Sequence, residues 1–294
     1  MAKVAFIFPG QGSQTVGMGK DLFDNFSAAR EVFEEAGEAL GFSLSEMCFS
    51  GSEEDLAMTA NTQPAILTTS VAAFRAMEAE GFAAPDFVAG HSLGEYSALV
   101  AAGVLSFADA VRTVRKRGMY MQEAVPVGVG AMAAILGADV ETVETACSDA
   151  AQGQICSPAN INSPSQIVIA GDADAVDRAC ELLKERGAKR AVKLNVSAPF
   201  HCSLMMPAQE RLEQDLRALR YAGFRFPIVH NVDAAINSDE TRVCDALTQQ
   251  VSGPVKWLQS VRVLRDQGVE TVVEVGAGKV LSGLVRQIDR DVRC

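Results

Sequence analysis

The chain has 294 residues, enough for one large hydrophobic core or for a core with a smaller lobe. Hydrophobic residues make up 48% of the sequence and charged residues 21%, a mix typical of a soluble globular protein. The net charge of −11 argues against nucleic acid as a partner, because phosphate binding requires a basic surface.

The N-terminal stretch "MAKVAFIFPGQGSQ" contains an apolar run of only five residues, 4–8. A signal peptide needs a longer apolar region and a small-residue cleavage site, so we interpret the run as a first strand and expect a cytoplasmic protein. The longest apolar runs of the chain are far shorter than the roughly 20 residues of a membrane-spanning helix, so we expect no membrane partner.

The cysteines and histidines show no spacing typical of a metal site. The seven cysteines form no CxxC pair and are odd in number, which favours isolated, reduced thiols. The three histidines, at positions 91, 201 and 230, lack metal-type spacing with cysteines or carboxylates, so we expect no bound metal.

Apolar patterning predicts strands and helices that alternate along most of the chain. The predicted strands are 4–8, 87–90, 226–232 and 271–276, and the predicted helices are 64–81, 93–102, 204–220, 257–268 and 279–288. Pro64 suits the first turn of its helix, and Gly81 suits the end of it. Strands separated by helices predict a mainly parallel sheet with helices on both faces.

One segment shows a different order. From position 131 the pattern predicts strand, helix, strand, strand, helix and strand, at 131–137, 139–151, 155–162, 166–172, 174–187 and 190–197. This is the ferredoxin-like order. The predicted fold class is therefore α/β: a large α/β-hydrolase-like domain with a parallel sheet, formed by 1–126 and 198–294, into which a small ferredoxin-like lobe, 127–197, is inserted.

The stretch "GHSLG" at 90–94 has the form G-x-S-x-G between a predicted strand and a predicted helix. A serine at the apex of such a turn is held up into a cleft, and glycines two residues away on each side let the backbone pass closely. The N–H of Leu93 and the positive end of the helix then point toward the site. Ser92 is therefore a candidate nucleophile; the alternative is a serine that caps the helix.

A nucleophilic serine needs a base. His201 lies in a predicted loop just before a helix, where its side chain can reach a cleft. His91 shares the turn of Ser92, so its side chain diverges from the serine, and His230 ends a predicted strand. His201 is the best candidate, although a purely structural histidine is the alternative at each position.

Several motifs occur together in one order: "FPGQGSQTVGMG" (8–19), "NTQPAI" (61–66), "GHSLGEYSAL" (90–99), "RKRGMYMQEAVP" (115–126), "NINSPSQIVIAG" (160–171), "SAPFHCSLM" (197–205) and "QQVSGPVKW" (249–257). In this respect the chain closely resembles the malonyl-CoA:acyl carrier protein transacylases of bacterial fatty acid synthesis, over essentially its whole length. The resemblance implies a ping-pong transfer of a malonyl group from malonyl-CoA to the phosphopantetheine thiol of acyl carrier protein.

The resemblance also implies the catalytic roles. Ser92 would attack the thioester, and His201 would take its proton and return it to the leaving thiol. The other nitrogen of His201 would be held by the main-chain carbonyl of Gln250, so no triad carboxylate is expected. The N–H groups of Gln11 and Leu93 would form the oxyanion hole.

Substrate selection is implied by the same resemblance. Arg117 would form a bidentate pair with the free carboxylate of the malonyl group, whereas "RKR" alone is typical of a solvated helix face. Gln63 and Gln11 would line the pocket. Phe200 would fill space near the acyl α-carbon and favour malonyl over methylmalonyl; the alternative is a simple core aromatic.

Further residues are expected to bind substrate or partner. His91, Asn160 and Asn162 are candidates for substrate binding, the two asparagines for the pantetheine arm, with turn residues as the alternative. Docking of an acidic carrier on an acidic enzyme requires a local basic patch, for which the candidates are Arg115, Lys116, Lys189, Arg190 and Lys193. No cofactor is expected, because malonyl-CoA is a substrate, and a monomer is the working expectation.

Two rival functions remain open from the residues. A serine thioesterase or esterase would share the serine turn, but it would have no need of a buried arginine, and its fold expects an acid between serine and histidine. A non-catalytic carrier-binding module would not become acylated at Ser92. An equivalent acyltransferase of polyketide synthesis would share every motif.

Overall fold

The computed structural model of the protein describes residues 2–126, 128–196 and 198–294. Its strands belong to two separate sheets. The strands are β1 Lys3–Phe8, β2 Phe87–Gly90, β3 Gly130–Leu136, β4 Cys156–Ser163, β5 Gln166–Asp172, β6 Arg190–Lys193, β7 Ile228–Val229, β8 Ile236–Asn237 and β9 Val269–Glu274.

Helices account for most of the remaining chain. They are α1 Lys20–Asn25, α2 Ser27–Leu40, α3 Leu44–Ser50, α4 Glu53–Ala57, α5 Thr59–Ala79, α6 Gly94–Ala101, α7 Phe107–Glu123, α8 Val140–Ala151, α9 Ala173–Glu185, α10 Met206–Arg217, α11 Val243–Ser252, α12 Trp257–Asp266 and α13 Val280–Ile288, with 3₁₀ turns at Ser203–Met205 and Glu240–Arg242. Within the described ranges, no helix combines the length and apolar character needed to cross a bilayer.

The larger sheet has the strand order β8-β7-β2-β1-β9. All of its pairs are parallel except β7 with β8. In the register, Phe8 at the end of β1 lies beside Gly90 at the end of β2. The loops that follow these two strands therefore emerge side by side at the carboxyl edge of the sheet, where ligands of open α/β sheets bind.

Both faces of this sheet are covered, as the sequence predicts. Along β1, Phe6 and Phe8 pack into one hydrophobic cluster, while Ala5 and Ile7 pack into another on the opposite face. This alternation follows from the two-residue period of a strand. The first cluster includes residues of α2, α5 and α7, and the second includes residues of α12 and α13.

The smaller sheet is antiparallel throughout, with the order β4-β5-β3-β6. Its elements follow the predicted order along the chain, and α8 and α9 pack on it around a core of their own. Hydrogen bonds from Ile161 N to Val255 O (2.9 Å) and from Val255 N to Ala159 O (2.8 Å) join β4 to the segment before α12. The predicted ends of the lobe, at 127 and 197, lie outside the described residues, and the domain division stays a prediction.

The predicted start of the helix that contains Pro64 is wrong. This helix, α5, begins at Thr59, so Pro64 lies in its interior rather than in its first turn. A proline there leaves the carbonyl of residue 60 without its helical donor. Arg115 Nη1 supplies that donor, at 3.1 Å from the Ala60 oxygen. The helix therefore continues through Pro64 because a distant arginine replaces the missing hydrogen bond.

Other boundaries also differ from the sequence prediction. Of the predicted strand 226–232, only the two residues of β7 form a strand. The predicted helix 204–220 is shorter: it begins at Met206, after the 3₁₀ turn Ser203–Met205, and ends at Arg217. Of the predicted strand 190–197, Arg190–Lys193 form β6 and residues 194–196 do not continue it, while position 197 lies outside the described residues. Helices α1 to α4, α7 and α11 and the strand β8 were not predicted.

Candidate active site

The turn between β2 and α6 places Ser92 at the carboxyl edge of the larger sheet. Ser92 has φ 50°, a left-handed conformation that is uncommon for a residue with a side chain. A Cβ at Gly90 would overlap the carbonyl of Gly94, and a Cβ at Gly94 would overlap the carbonyl of Phe8. The two glycines of the G-x-S-x-G pattern are therefore required by close backbone packing.

Asn231 holds this strained turn from the side. Its Oδ1 accepts a hydrogen bond from the Ser92 N–H at 2.6 Å, and its Nδ2 donates to the Gly90 carbonyl at 2.6 Å. Asn231 is fully buried and follows β7. Asn231 was not predicted as a site residue, because its contact with Ser92 joins residues that are 139 positions apart.

His201 lies against the serine hydroxyl. Ser92 Oγ and His201 Nε2 are 2.7 Å apart, and His201 Nδ1 is 2.9 Å from the main-chain oxygen of Gln250. Because a carbonyl can only accept, Nδ1 carries the proton, and Nε2 is left to accept the proton of Ser92. Burial, followed by the charge of Arg117, lowers the pKa of His201 to about 3, so the imidazole is a neutral base.

Arg117 is a buried cation beside the same hydroxyl. Its side chain is 1% exposed, and Nη2 donates to Ser92 Oγ at 3.1 Å and to Gln250 Oε1 at 2.9 Å. Nη1 donates to Gln63 Oε1 at 2.9 Å. In the described part of the chain, Nε is buried without a hydrogen-bond partner, and no carboxylate forms an ion pair with this guanidinium. Burial lowers its pKa, so the site favours an anion that would pair with it.

Gln11 and Leu93 present main-chain N–H groups near Ser92. Leu93 is the N-cap of α6, and Gln11 follows β1 and lines the cleft. Neither amide donates a hydrogen bond to another described residue. Two unused donors and a helix N-terminus beside a hydroxyl can stabilise a developing oxyanion.

The cleft above Ser92 is a cavity of about 120 Å³. Its lining combines polar and apolar side chains: Gln11, Gln63, His91, Ser92, Arg117, Met121, Met132, Asn160, Leu194, Val196, Phe200 and His201. Both sheets contribute to it, since Met132 and Asn160 belong to β3 and β4. No cluster of three metal-binding side chains occurs among residues 2–126, 128–196 and 198–294.

The two asparagines of β4 differ in their availability. Asn162 Oδ1 lies 2.8 Å from His91 Nε2, so its oxygen is already engaged. Asn160 lines the cleft, and its Oδ1 is buried with no partner among the described residues. Of the two, Asn160 has the free acceptor that a ligand amide could use.

The residues predicted from the sequence meet in one place. Eight of them line the cleft directly, and Leu93, Asn162 and Gln250 contact those that do. His230, weighed as an alternative base, does not face Ser92; it is fully buried and bonded to Glu95 and Asn237. Like Asn231, Glu95 was not predicted from the sequence, where its only signal is a carboxylate in the apolar helix segment "EYSALVAAG".

The predicted basic patch is not a single free surface. Arg115 is half-buried and bonded to Ala60 and Asn61. Lys116 pairs with Asp215 at 2.5 Å, and Lys193 pairs with Asp177 at 2.6 Å. Lys189 and Arg190 are exposed at the start of β6, the strand that leads to Leu194 and Val196 at the cleft. Those two residues are the part of the proposed patch that remains available.

Comparison with known proteins gives a consistent result. Residues 5–291 match the family model described as the acyl transferase domain. The chain is 51% identical to the malonyl CoA-acyl carrier protein transacylase of Escherichia coli K12, over 98% of this chain and 93% of that protein. It superimposes with a TM-score of 0.97 on an acyl carrier protein S-malonyltransferase from Vibrio cholerae, at 48% identity over 99% of this chain and 95% of that one.

A third relative has been solved with its partner. It is a malonyl-transacylase in complex with a type II PKS acyl-carrier protein, with a TM-score of 0.96 and 47% identity over 99% of this chain and 94% of that one. Since the family model and the relatives both extend over nearly the whole chain, this protein belongs to the acyl transferase family.

Proposed function

We propose that the protein transfers a malonyl group from malonyl-CoA to the phosphopantetheine thiol of acyl carrier protein, through a malonyl ester of Ser92. One observation carries the proposal: the Ser92 hydroxyl lies 2.7 Å from the base His201 and 3.1 Å from the buried cation Arg117. A nucleophile beside a base can take an acyl group, and a cation beside the nucleophile selects an acyl group that ends in a carboxylate.

Acylation uses the neutral imidazole. As Ser92 Oγ attacks the thioester carbon, its proton passes to His201 Nε2, and the negative charge on the former carbonyl oxygen is stabilised by the N–H groups of Gln11 and Leu93. The C–S bond then breaks, and the proton moves from His201 to the sulfur, releasing CoA as a thiol. The carbonyl of Gln250 keeps the imidazole aligned throughout.

The second half-reaction runs in reverse with a different thiol. The carrier thiol gives its proton to His201, its sulfur attacks the malonyl ester, and Ser92 Oγ leaves with the proton. Asn160, which lines the cleft and whose Oδ1 has no partner among the described residues, is our candidate for contact with the pantetheine arm. Malonyl-CoA and carrier are both substrates, and the proposal involves no cofactor.

The malonyl carboxylate is proposed to bind Arg117, with Gln63 holding the guanidinium from the other side. The burial of Arg117 supports this role, because a buried cation is costly until an anion pairs with it. Phe200, 8% exposed and lining the cleft, leaves little space at the acyl α-carbon. Both features favour malonyl over acetyl and methylmalonyl groups.

The remaining expectations are proposed on their own support. The strand order and antiparallel pairing of the smaller sheet fit a ferredoxin-like lobe inserted at 127–197 in an α/β-hydrolase-like domain. Seven free cysteines fit a reducing compartment such as the cytoplasm. A monomer is sufficient, because every proposed site residue comes from one chain.

The acyl carrier protein that accepts the malonyl group could belong to fatty acid synthesis or to polyketide synthesis. The relatives from Escherichia coli and Bacillus subtilis are named for acyl carrier protein in general, whereas another relative has been solved in complex with a type II PKS acyl-carrier protein. We propose the carrier of fatty acid synthesis as the partner, with a polyketide carrier as the alternative. Transfer rates to a purified carrier of each kind, measured side by side, decide between them.

The test is incubation with malonyl-CoA, with and without holo acyl carrier protein. We expect mass spectrometry to find one malonyl group on Ser92 without carrier, and rapid malonyl transfer when carrier is added. A serine thioesterase would instead release CoA continuously without carrier. A non-catalytic binding module would leave Ser92 unmodified.

A further inference from the structure

Glu95 is a buried carboxylate directly behind the active site. It lies in the first turn of α6, is 0% exposed and does not line the cleft. Three donors surround it: His230 Nδ1 at 2.6 Å, the Asn231 N–H at 3.1 Å and Gln250 Nε2 at 2.8 Å. Since a buried charge costs several kcal/mol unless it is fully hydrogen-bonded, this arrangement needs a reason.

The proton on His230 can be assigned from its neighbours. Asn237 Oδ1 accepts from the Asp239 N–H, and Asn237 Nδ2 donates to the Asp239 carbonyl, which fixes the orientation of the amide. The same Nδ2 lies 2.9 Å from His230 Nε2. Nε2 is therefore an acceptor, the ring is neutral, and the proton on Nδ1 is donated to Glu95.

The orientation of the Gln250 side chain follows in the same way. Its Oε1 accepts from Arg117 Nη2, so its Nε2 is the group that faces Glu95 and the Ser92 carbonyl, at 2.8 and 3.0 Å. Glu95 thus meets donors only, which is the environment of an ionised carboxylate. The Gln250 amide connects this anion to the Arg117 cation, because it accepts from one and donates to the other.

The same carboxylate supports the serine turn. It accepts from the main-chain N–H of Asn231, whose side chain holds both Ser92 N and Gly90 O. The main-chain oxygen of Gln250 in turn holds His201. One residue therefore lies between Glu95 and each of the three working groups: nucleophile, base and cation.

We propose that Glu95 is a positioning residue that aligns Ser92 through Asn231, and His201 and Arg117 through Gln250, and that it supplies the buried negative charge that balances Arg117 before the substrate carboxylate arrives. The part that concerns malonyl selection rests on the proposed function; the alignment of Ser92 and His201 does not. Glu95 does not touch substrate, so it acts only through these neighbours.

The test variant is Glu95→Gln, which keeps the shape but turns an NH₂ group toward at least one of the three donors. We expect kcat for malonyl transfer to fall by about 10- to 100-fold, because small misplacements of reacting groups cost factors of this size. The preference for malonyl-CoA over acetyl-CoA should fall as well. In an Arg117→Ala background the same change should still lower the rate through Ser92 and His201, but it should no longer alter the preference between malonyl-CoA and acetyl-CoA, which a general loss of structure would not produce.

Ser97→Ala is the matched control, because Ser97 lies on the same helix, is 0% exposed, and its Oγ has no partner among the described residues. It should behave as the wild type.

If Glu95→Gln does not fold, Glu95→Asp tests the proposal instead. This variant keeps the charge but withdraws the carboxylate oxygens by one methylene. We expect it to lose kcat while keeping more of the malonyl preference. Wild-type kcat and preference in a folded Glu95→Gln protein would overturn the proposal.

A second readout separates this inference from the proposed function. The rate at which phenylmethylsulfonyl fluoride modifies Ser92 depends on the serine and its base but on no malonyl group. We expect Glu95→Gln to slow it by about tenfold or more. If the wild type is never malonylated but Glu95→Gln still lowers the rate of Ser92 modification, malonyl transfer is refuted and the positioning role stands. If Glu95→Gln leaves the rate of Ser92 modification unchanged, the positioning role alone is refuted.

Discussion

Arg117 Nη2 donates a hydrogen bond to Ser92 Oγ over 3.1 Å, so the cation that is proposed to read the substrate also touches the nucleophile. The same nitrogen donates to Gln250 Oε1. With both of its hydrogens engaged, Nη2 can join a bidentate pair with a carboxylate only by giving up one of these contacts. A malonyl carboxylate that pairs with Nη2 would therefore displace either the Ser92 contact or the Gln250 contact.

Replacement of Arg117 by Ala should change substrate choice rather than abolish chemistry. Loss of a charge-assisted bidentate pair should lower kcat/KM for malonyl-CoA by about 10- to 100-fold. Acetyl-CoA has no carboxylate to lose and should gain relative to malonyl-CoA. Steady-state kinetics with both thioesters measure the ratio, and Arg112→Ala on an exposed part of the same helix is the control. Equal losses for both substrates would contradict the role of a carboxylate clamp.

Replacement of Asn231 by Ala should loosen the serine turn. The change leaves Ser92 N and Gly90 O without their partner, and each buried unsatisfied group costs about 1–3 kcal/mol. We expect a lower free energy of unfolding in urea and a slower malonylation of Ser92, by about tenfold or more. Asn25→Ala, on the exposed surface of α1, should leave both quantities unchanged. An Asn231→Ala protein that is destabilised but fully active would show that the turn holds its strained geometry without this side chain.

The residues of the active site differ in how well the sequence predicts them. The turn around Ser92 follows from local rules, because strand, glycine spacing and helix all occur within a few residues. Asn231 carries no local signal, and Glu95 carries only that of a carboxylate in an apolar segment, because their partners lie 139 and 136 positions away along the chain. Arg117 was identified from the family resemblance alone, because "RKR" in isolation predicts a solvated helix face. Lys116 is in fact exposed, whereas Arg117 is buried.

The fold shows the same division. Most strands and seven helices were predicted, and the order of the elements of the smaller sheet along the chain was predicted in full, whereas the amphipathic helices α2 and α7 were missed. The start of α5 was predicted incorrectly, because the group that donates to the Ala60 carbonyl is Arg115, which belongs to another helix. Boundaries that depend on such tertiary hydrogen bonds cannot be read from propensity.

Charge reversal of Lys189 and Arg190 together to Glu should weaken the encounter with the acidic carrier. Both residues are exposed at the start of β6 without a salt bridge among the described residues. We expect KM for the carrier to rise several-fold, more at low than at high ionic strength, with KM for malonyl-CoA unchanged. Arg290→Glu serves as control, because this exposed residue follows α13, which runs from the carboxyl edge of the sheet toward the opposite edge. An unchanged KM for the carrier would move the docking surface elsewhere.

The buried base should make stability depend on pH. In the folded protein the pKa of His201 is lowered to about 3, from 6.5 for an unperturbed histidine, chiefly by burial. Between these values the unfolded chain binds a proton that the folded protein does not, so this contribution to stability is complete above pH 6.5 and is lost as the pH falls. The slope of the free energy of unfolding approaches about 1.4 kcal/mol per pH unit for one group.

Urea unfolding of the wild type and His201→Ala at pH 5, 6, 7 and 8 isolates the contribution of His201. The pKa of His91 is also lowered by burial, but His91 is common to both proteins. We expect the stability difference between the two proteins to shift in favour of His201→Ala as the pH drops below 6.5. Parallel curves over this range would mean that His201 titrates in the folded protein as it does in the unfolded chain.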